Sequence, residues 1–332
     1  MPPLVSVVID NFNYGRFLRA TIDSVLAQDY PREKFEVIVS DDGSTDDSRA
    51  ILSSYGDRIR SVLSERQGQA TAFNRGIAAA RGEIVCLLDS DDVWLPQKLS
   101  RIAPLFDDSK VGIAAHFLQD VDVSLKPLRE QFPAWPARYV LDDFLAGRTQ
   151  FTATSGLAYR KSVLEKALPI PRDLFYYLDD YLTARCLFFS QAANVPEVLG
   201  LHRVHGGNWC AGGYENPGKI ELDFKNREIF SRHLDGWLAE AGLSLAPSFL
   251  ELERLELFRR RVLYQALMAR PVEAWREWKS GFQRLGSSRL ARFRAATVFF
   301  AVLSPTLYLS LYSAYAKAGD LKRWRLRLFP HA

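Results

Sequence analysis

Between residues 4 and 92 the sequence alternates short apolar, β-branched runs with stretches of helical periodicity, and three of those runs end in aspartate. Leu4–Ile9 stops at Asp10-Asn11. Phe35–Ser40 leads into Asp41-Asp42-Gly43-Ser44-Thr45-Asp46-Asp47, and Ile84–Leu88 into Asp89-Ser90-Asp91-Asp92. Runs this short and this uniformly apolar suit strands buried on both faces. Arg16–Ala27 carries Phe17, Leu18, Ile22, Val25 and Leu26 at helical spacing, Arg60–Leu63 reads as a short third strand, and Gly68–Ala80 as a helix closed by Gly82. Ser44 or Thr45 is placed to cap the helix that runs through Leu52. Strand–helix alternation in such short units predicts a doubly wound parallel sheet. Ligands of such sheets bind beyond the carboxyl ends of the strands, so acids at three of those ends are a functional signal.

Composition narrows the class. A chain of 332 residues that is 48% hydrophobic and 25% charged is a folded globular protein, neither a disordered tail nor a collagen-like fibre. The net charge of +4 is too small to argue for a nucleic-acid partner. Residues 285–332 hold eight Lys/Arg and one acid, so the basic character belongs to the C-terminus. Cys86, Cys186 and Cys210 lack CxxC spacing, which disfavours a disulfide framework or a thiolate zinc site and points to a reducing compartment. MPPLVSVVID enters a strand-like run without a basic leader, so no secretory signal is read and a cytoplasmic location is expected.

After residue 110 the pattern loosens. Gly112–Phe117 and Thr152–Tyr159 read as strands, Pro127–Arg138 as a loop, and Ser162–Ala167 and Asp179–Phe189 as helices. From Glu221 onward the sequence is helical throughout. Three regions follow: 1–110, 111–220 and a helical extension over 221–332.

Two carboxylates on one side of an extended turn, as in Asp89-Ser90-Asp91, can serve a hard cation such as Mg²⁺ or Mn²⁺ whose other ligands are phosphate oxygens. A solvated turn ahead of Trp94-Leu95-Pro96 explains the same residues. An EF-hand is excluded, because neither acidic turn has Gly at its sixth position and Glu at its twelfth.

Taken together, Asp41-Asp42-Gly43-Ser44-Thr45-Asp46, Gly68-Gln69-Ala70 through Asn74-Arg75-Gly76-Ile77, and Gly82-Glu83-Ile84 through Asp92 resemble family 2 glycosyltransferases with the GT-A fold. Thr154-Ser155-Gly156, Asp179-Asp180 and His202-Arg203-Val204-His205 extend the resemblance to about residue 208. It implies an α/β GT-A domain with a C-terminal helical extension, acting as an inverting, metal-dependent transferase on a nucleotide-diphospho-sugar, with a UDP-sugar favoured. By that resemblance Asp10, Asn11 and Asn13 lie at the nucleotide edge and Asp42 or Asp41 at the base. Arg66, Gly68 and Asn74 run along the nucleotide, and Asp89 lies at the ribose or metal. Asp91 becomes the main metal ligand, His205 a further metal or phosphate contact, and Arg203 a phosphate partner. Asp180 becomes the general base; the family usually has Glu-Asp where this chain has Asp179-Asp180. The acceptor class is a saccharide or a lipid-linked saccharide.

Ala295–Ala316 is 22 residues without a charge, framed by Arg289, Arg292 and Arg294 and by Lys317, Lys322, Arg323, Arg325 and Arg327. Pro305 and five Ser/Thr residues argue against a simple span. Two helices lying in the interface of a membrane fit better, which would put the protein at its cytoplasmic face through residues 285–332. Packing on the body and an oligomer contact are alternatives. For the whole chain, the competing readings are a nucleotidyltransferase and a non-catalytic sugar- or nucleotide-binding module recruited to membranes. Asp10–Arg16, with one Gly and one Arg, is poor in the Gly-rich basic loop that a nucleotidyltransferase needs.

Overall fold

The computed structural model describes residues 1–128, 135–208, 216–284 and 289–317. The chain divides into two compact units, Met1–Asn208 with Ile229–Gly242, and Trp209–Glu228 with Leu243–Ala332.

The first unit opens with β1 (Val5–Asn11), α1 (Gly15–Leu26), β2 (Phe35–Asp41), α2 (Ser48–Ser54), β3 (Arg60–Leu63), α3 (Gln69–Ala79) and β4 (Ile84–Asp89). Then come β5 (Val93–Trp94), α4 (Lys98–Ile102), β6 (Val111–Val121), β7 (Arg138–Tyr139) and α5 (Leu141–Leu145). β8 (Leu157–Arg160), α6 (Lys161–Leu164), α7 (Leu178–Leu187) and β9 (Gln191–Arg203) complete the strands. One sheet runs β3-β2-β1-β4-β8-β6-β9-β5, with β7 paired to β9. β1 through β4 are mutually parallel where they pair, whereas β8 is antiparallel to both β4 and β6.

Strand alternation sorts the β1 side chains between two layers. Val5, Val7 and Ile9 join Leu18, Ile22 and Val25 of α1, Ile51 and Leu52 of α2, and Leu99 and Ile102 of α4 in one buried cluster. Each such side chain contributes about 1.5–3 kcal/mol on burial. Val8 faces α3 on the other side, and Gly76 makes that approach possible: a Cβ there would sit 2.4 Å from Val8 Cγ1.

The parallel half of the sheet forms where the sequence places it. Three details differ. Ser44 does not cap α2, whose N-cap is Asp47 without a side-chain bond; its hydroxyl instead accepts the Asn13 N–H at 2.9 Å. Thr154–Gly156 is a single 3₁₀ turn, and of the expected strand over 152–159 only residues 157–159 lie in β8. β9 is a 13-residue strand with no counterpart among the sequence expectations, because Pro196 and Gly200 break its apolar pattern. The sheet accommodates Pro196 at an irregularity, where β6 partners jump from His116↔Val195 to Phe117↔Val198. Of the expected loop over 127–138, residues 129–134 lie outside the described residues.

α8 (Pro217–Ala241) passes through both units; α9 (Pro247–Leu267), α10 (Pro271–Arg284), α11 (Arg289–Leu303) and α12 (Pro305–Lys317) belong to the second. Leu255, Phe258, Val262 and Leu263 of α9 pack with Ala295, Val298 and Ala301 of α11 and Tyr308 of α12. The Trp278 indole N–H donates to the Ala295 carbonyl at 2.9 Å, tying α10 to α11. Pro305, which has no N–H to give, starts a new helix and splits the uncharged run. Among the described residues no helix is long and apolar enough to cross a membrane. The basic residues Lys322, Arg323, Arg325 and Arg327 lie outside the described residues.

Candidate active site

Parallel pairing of β1 and β4 sets Asp10 opposite Asp89 at the carboxyl ends of adjacent strands. Asp10 Oδ1 is buried with no hydrogen-bond partner. Burial, then the charge of Asp91, pushes the Asp10 carboxyl up to about 7. Burial likewise raises Asp89 well above the carboxylate range, with Asp10, Asp92 and Asp91 adding to it. Gln69, in the first turn of α3, donates to Asp89 at 3.3 Å. Several carboxylates thus crowd one small region, an arrangement that favours a cation or shared protons.

The turn carrying Asp91 and Asp92 is held from several directions. The Thr21 hydroxyl lies 2.8 Å from the carbonyls of both Ser90 and Asp92. The Ser155 hydroxyl accepts the Asp89 N–H at 3.1 Å, and the Ser155 carbonyl accepts both the Trp94 indole at 2.9 Å and the Lys98 ammonium at 2.8 Å. Lys98 is wholly buried over the Trp94 ring, 3.3 Å from its centroid, and burial depresses it to about 7.

At the end of β9, His205 Nε2 sits 3.0 Å from Asp91 Oδ2, while His205 Nδ1 accepts the Gly207 N–H at 3.0 Å. That second bond leaves Nε2 as the ring nitrogen facing Asp91. Tyr14 donates to the Gly207 carbonyl at 3.3 Å and, like Phe17, packs against the His205 ring. Burial and the Asp91 charge push its phenol up to about 12.

Arg203, expected at the phosphates, is instead buried. Its guanidinium donates to the carbonyls of Asp91 at 2.8 Å and Val123 at 2.7 Å and lies over Phe17, and its N–H donates to Asp92 Oδ1. It fixes the turn. His202 pairs across the sheet with Asp120 at 2.9 Å.

On the β2 side, Asn11 Nδ2 donates to Asp41 Oδ2 at 2.8 Å, and Asn13 Oδ1 accepts the Thr45 N–H at 2.8 Å, so both asparagines stitch β1 to the acidic turn. Asp41 is fully buried and accepts the Ser44 N–H at 3.0 Å. Asp42 accepts the N–H groups of Gln67 at 2.8 Å and Gly68 at 2.7 Å, where Gly68 adopts φ +97°, a conformation that favours glycine. Arg66 stacks 4.2 Å above the Phe12 ring. Asn74, expected along the nucleotide, both donates to and accepts from the Ile170 backbone at 2.9 Å; its amide ties α3 to a segment 96 residues away.

Asp179 and Asp180 occupy the first turn of α7, entered through Tyr177 in the left-handed region. Asp179 is half-buried, accepts the Thr154 N–H, is raised by burial and adds to the charge felt by Asp89. Asp180 is exposed. The region therefore gathers Asp10, Asp89, Asp91, Asp92, Asp179 and His205. Thr21, Lys98, Tyr14 and Phe12 were not singled out from sequence. Lys98 and Thr21 lie in ordinary helical patterns with no signal; an aromatic placed just after the first acidic strand end was legible in principle.

Residues 6–168 match the profile of glycosyl transferase family 2. An uncharacterized glycosyltransferase of Nostoc sp. (strain PCC 7120 / SAG 25.82 / UTEX 2576) is 33% identical over 286 residues, covering 82% of this chain and 86% of the relative. Among solved structures, S. aureus TarS 1–349 in complex with UDP-GlcNAc superposes with a TM-score of 0.63 at 17% identity, over 95% of this chain and 92% of that one. The mannosyltransferase PcManGT of Pyrobaculum calidifontis, in complex with GDP-Man and Mn²⁺, gives 0.55 at 18% identity, over 98% and 83%. Identities this low speak to the fold alone. The profile match, the relative that parallels most of the chain and the strand-end acids agree: this is a glycosyltransferase of family 2 built on the GT-A fold.

Proposed function

We propose that the enzyme is inverting and metal-dependent, moving a sugar from a nucleotide-diphospho-sugar, with UDP as the favoured carrier, to a hydroxyl of a saccharide or lipid-linked acceptor. The carrying observation is the acid-rich corner where Asp10 and Asp89 face each other and Asp91 meets His205. The solved neighbours were captured with UDP-GlcNAc or with GDP-Man and Mn²⁺, which supports a nucleotide-sugar donor.

Among the described residues no three His, Cys, Asp or Glu side chains form a ready-made metal cage. The donors nevertheless suit a hard cation that takes much of its coordination from phosphate. Asp91 Oδ2 and His205 Nε2 are 3.0 Å apart as a hydrogen-bonded pair, and a cation shared by the two would displace that proton together with the Gly207 N–H bond at Nδ1. A buried, unpartnered Asp10 oxygen lies in the same corner. Asp91 and His205, with Asp89, would hold the ion; when bound, it would offset charge on the departing diphosphate.

The remaining work falls to the chain. Asp42 pins Gln67 and Gly68, so that Arg66 over Phe12 offers a flat cationic surface for the base. Arg203, Thr21 and Ser155 hold the Asp89–Asp92 turn rigid, which preserves the donor geometry. Asp180, exposed in the first turn of α7, takes the proton from the acceptor hydroxyl at its carboxylate.

The test is Asp180→Asn. Transfer should fall by about 10²–10⁴-fold with donor affinity within about twofold, and the wild-type product should carry inverted anomeric configuration by NMR. Equal loss of transfer and donor affinity, or a larger effect from Asp179→Asn alone, would remove Asp180 from the base role.

A further inference from the structure

α11 and α12 have two apolar faces. Ala295, Val298, Ala301 and Tyr308 turn inward to the α9 cluster. Phe300, Leu303, Leu307 and Leu311 turn outward and are 49%, 67%, 52% and 54% exposed. Their spacing of three or four residues within each helix makes the outward set a stripe. α10 adds Val272 and Trp275, 55% and 44% exposed. Large side chains gathered this way on a soluble surface mark an interaction site.

We infer that this stripe is a membrane-docking surface that inserts into the interface of a bilayer rich in anionic lipid. Its frame selects that occupant. No Asp or Glu occurs from Leu285 to Gly319, while Arg289, Arg292, Arg294 and Lys317 flank the uncharged run, and residues 285–332 carry a net +7. Basic residues bracketing an apolar run in the sequence complement anionic headgroups at roughly 1 kcal/mol each. A second copy of the chain would bring the same cationic frame against itself, a self-complementary contact with like charges opposed. Helices of 15 and 13 residues are about 22 and 20 Å long, short of the ~30 Å hydrocarbon thickness, so they lie in the interface. The inference does not depend on the donor or base assignments above.

Flotation of the full-length protein with phosphatidylcholine vesicles, with and without about 30% phosphatidylglycerol, tests it, read beside light scattering. The wild type should float with anionic vesicles and bind neutral ones at least tenfold more weakly. Leu303→Ser/Leu307→Ser should lose at least tenfold in partitioning without adding charge, and Leu303→Glu/Leu307→Glu should lose more. Both changes sit on exposed positions, so circular dichroism should show an unchanged melting temperature. Wild-type flotation by the Ser double variant would overturn the inference. So would failure to bind either vesicle, or a dimer that the Ser variant dissociates.

Discussion

In the first unit the apolar side chains are enclosed between sheet and helices, and what the fold leaves unsatisfied is polar: a buried Asp10 oxygen and several crowded carboxylates. In the C-terminal helices ion pairs such as Lys225–Glu221 and Arg227–Glu253 cross the surface, and beside them large apolar side chains lie open. In each region the candidate for function is the chemistry that the fold itself does not use. Crowded carboxylates ask for a cationic ligand, and exposed leucines ask for a nonaqueous one.

The same truncation should read differently in the two regions. Leu88→Ala, inside the sheet core, should cost about 2–5 kcal/mol. Leu303→Ala should stay within about 0.5 kcal/mol. Urea unfolding of both variants measures this, and similar costs would mean that Leu303 is part of a packed core.

Asn74→Ala asks whether a polar side chain near the acids serves the ligand or the fold. It strands the N–H and carbonyl of Ile170, so about 1–3 kcal/mol should be lost, with UDP affinity nearly unchanged. Lost affinity at full stability would return Asn74 to the nucleotide.

A smaller effect belongs to Lys98, which faces Asp92 and Cys86, with His116 close enough to feel its charge. Burial lowers it from 10.5 to about 7. Between those values the unfolded chain holds a proton that the folded chain does not, so stability rises with pH, by at most about 1.4 kcal/mol per unit. Lys98→Met should flatten the slope measured from pH 7 to 9; an unchanged slope would mean that Lys98 is charged in the folded protein.

The legible parts of the molecule are those in which local pattern and tertiary role coincide. Apolar runs that end in Asp10, Asp41 and Asp89 announce the strands, and because parallel strands present their carboxyl ends to ligands the same runs point to where a site would lie. β9 was hidden because Pro196 and Gly200 contradict a strand locally, and only pairing with β6 outweighs them. Arg203 and Asn74 show a second limit. Residue type reveals hydrogen-bonding capacity, but whether the partner is a ligand or a carbonyl 96 residues away is decided by the fold. Lys98 shows a third, because a lysine in a helical pattern reads as surface until Trp94 and Ser155 close around it.

The most direct measurement is calorimetric titration of UDP into the wild type and Asp91→Ala, each with and without Mn²⁺. The wild type should bind UDP at least tenfold more tightly with Mn²⁺, and Asp91→Ala should show no metal response while retaining the weaker metal-free affinity. An equal Mn²⁺ response in both proteins would contradict a cation held at Asp91 and His205.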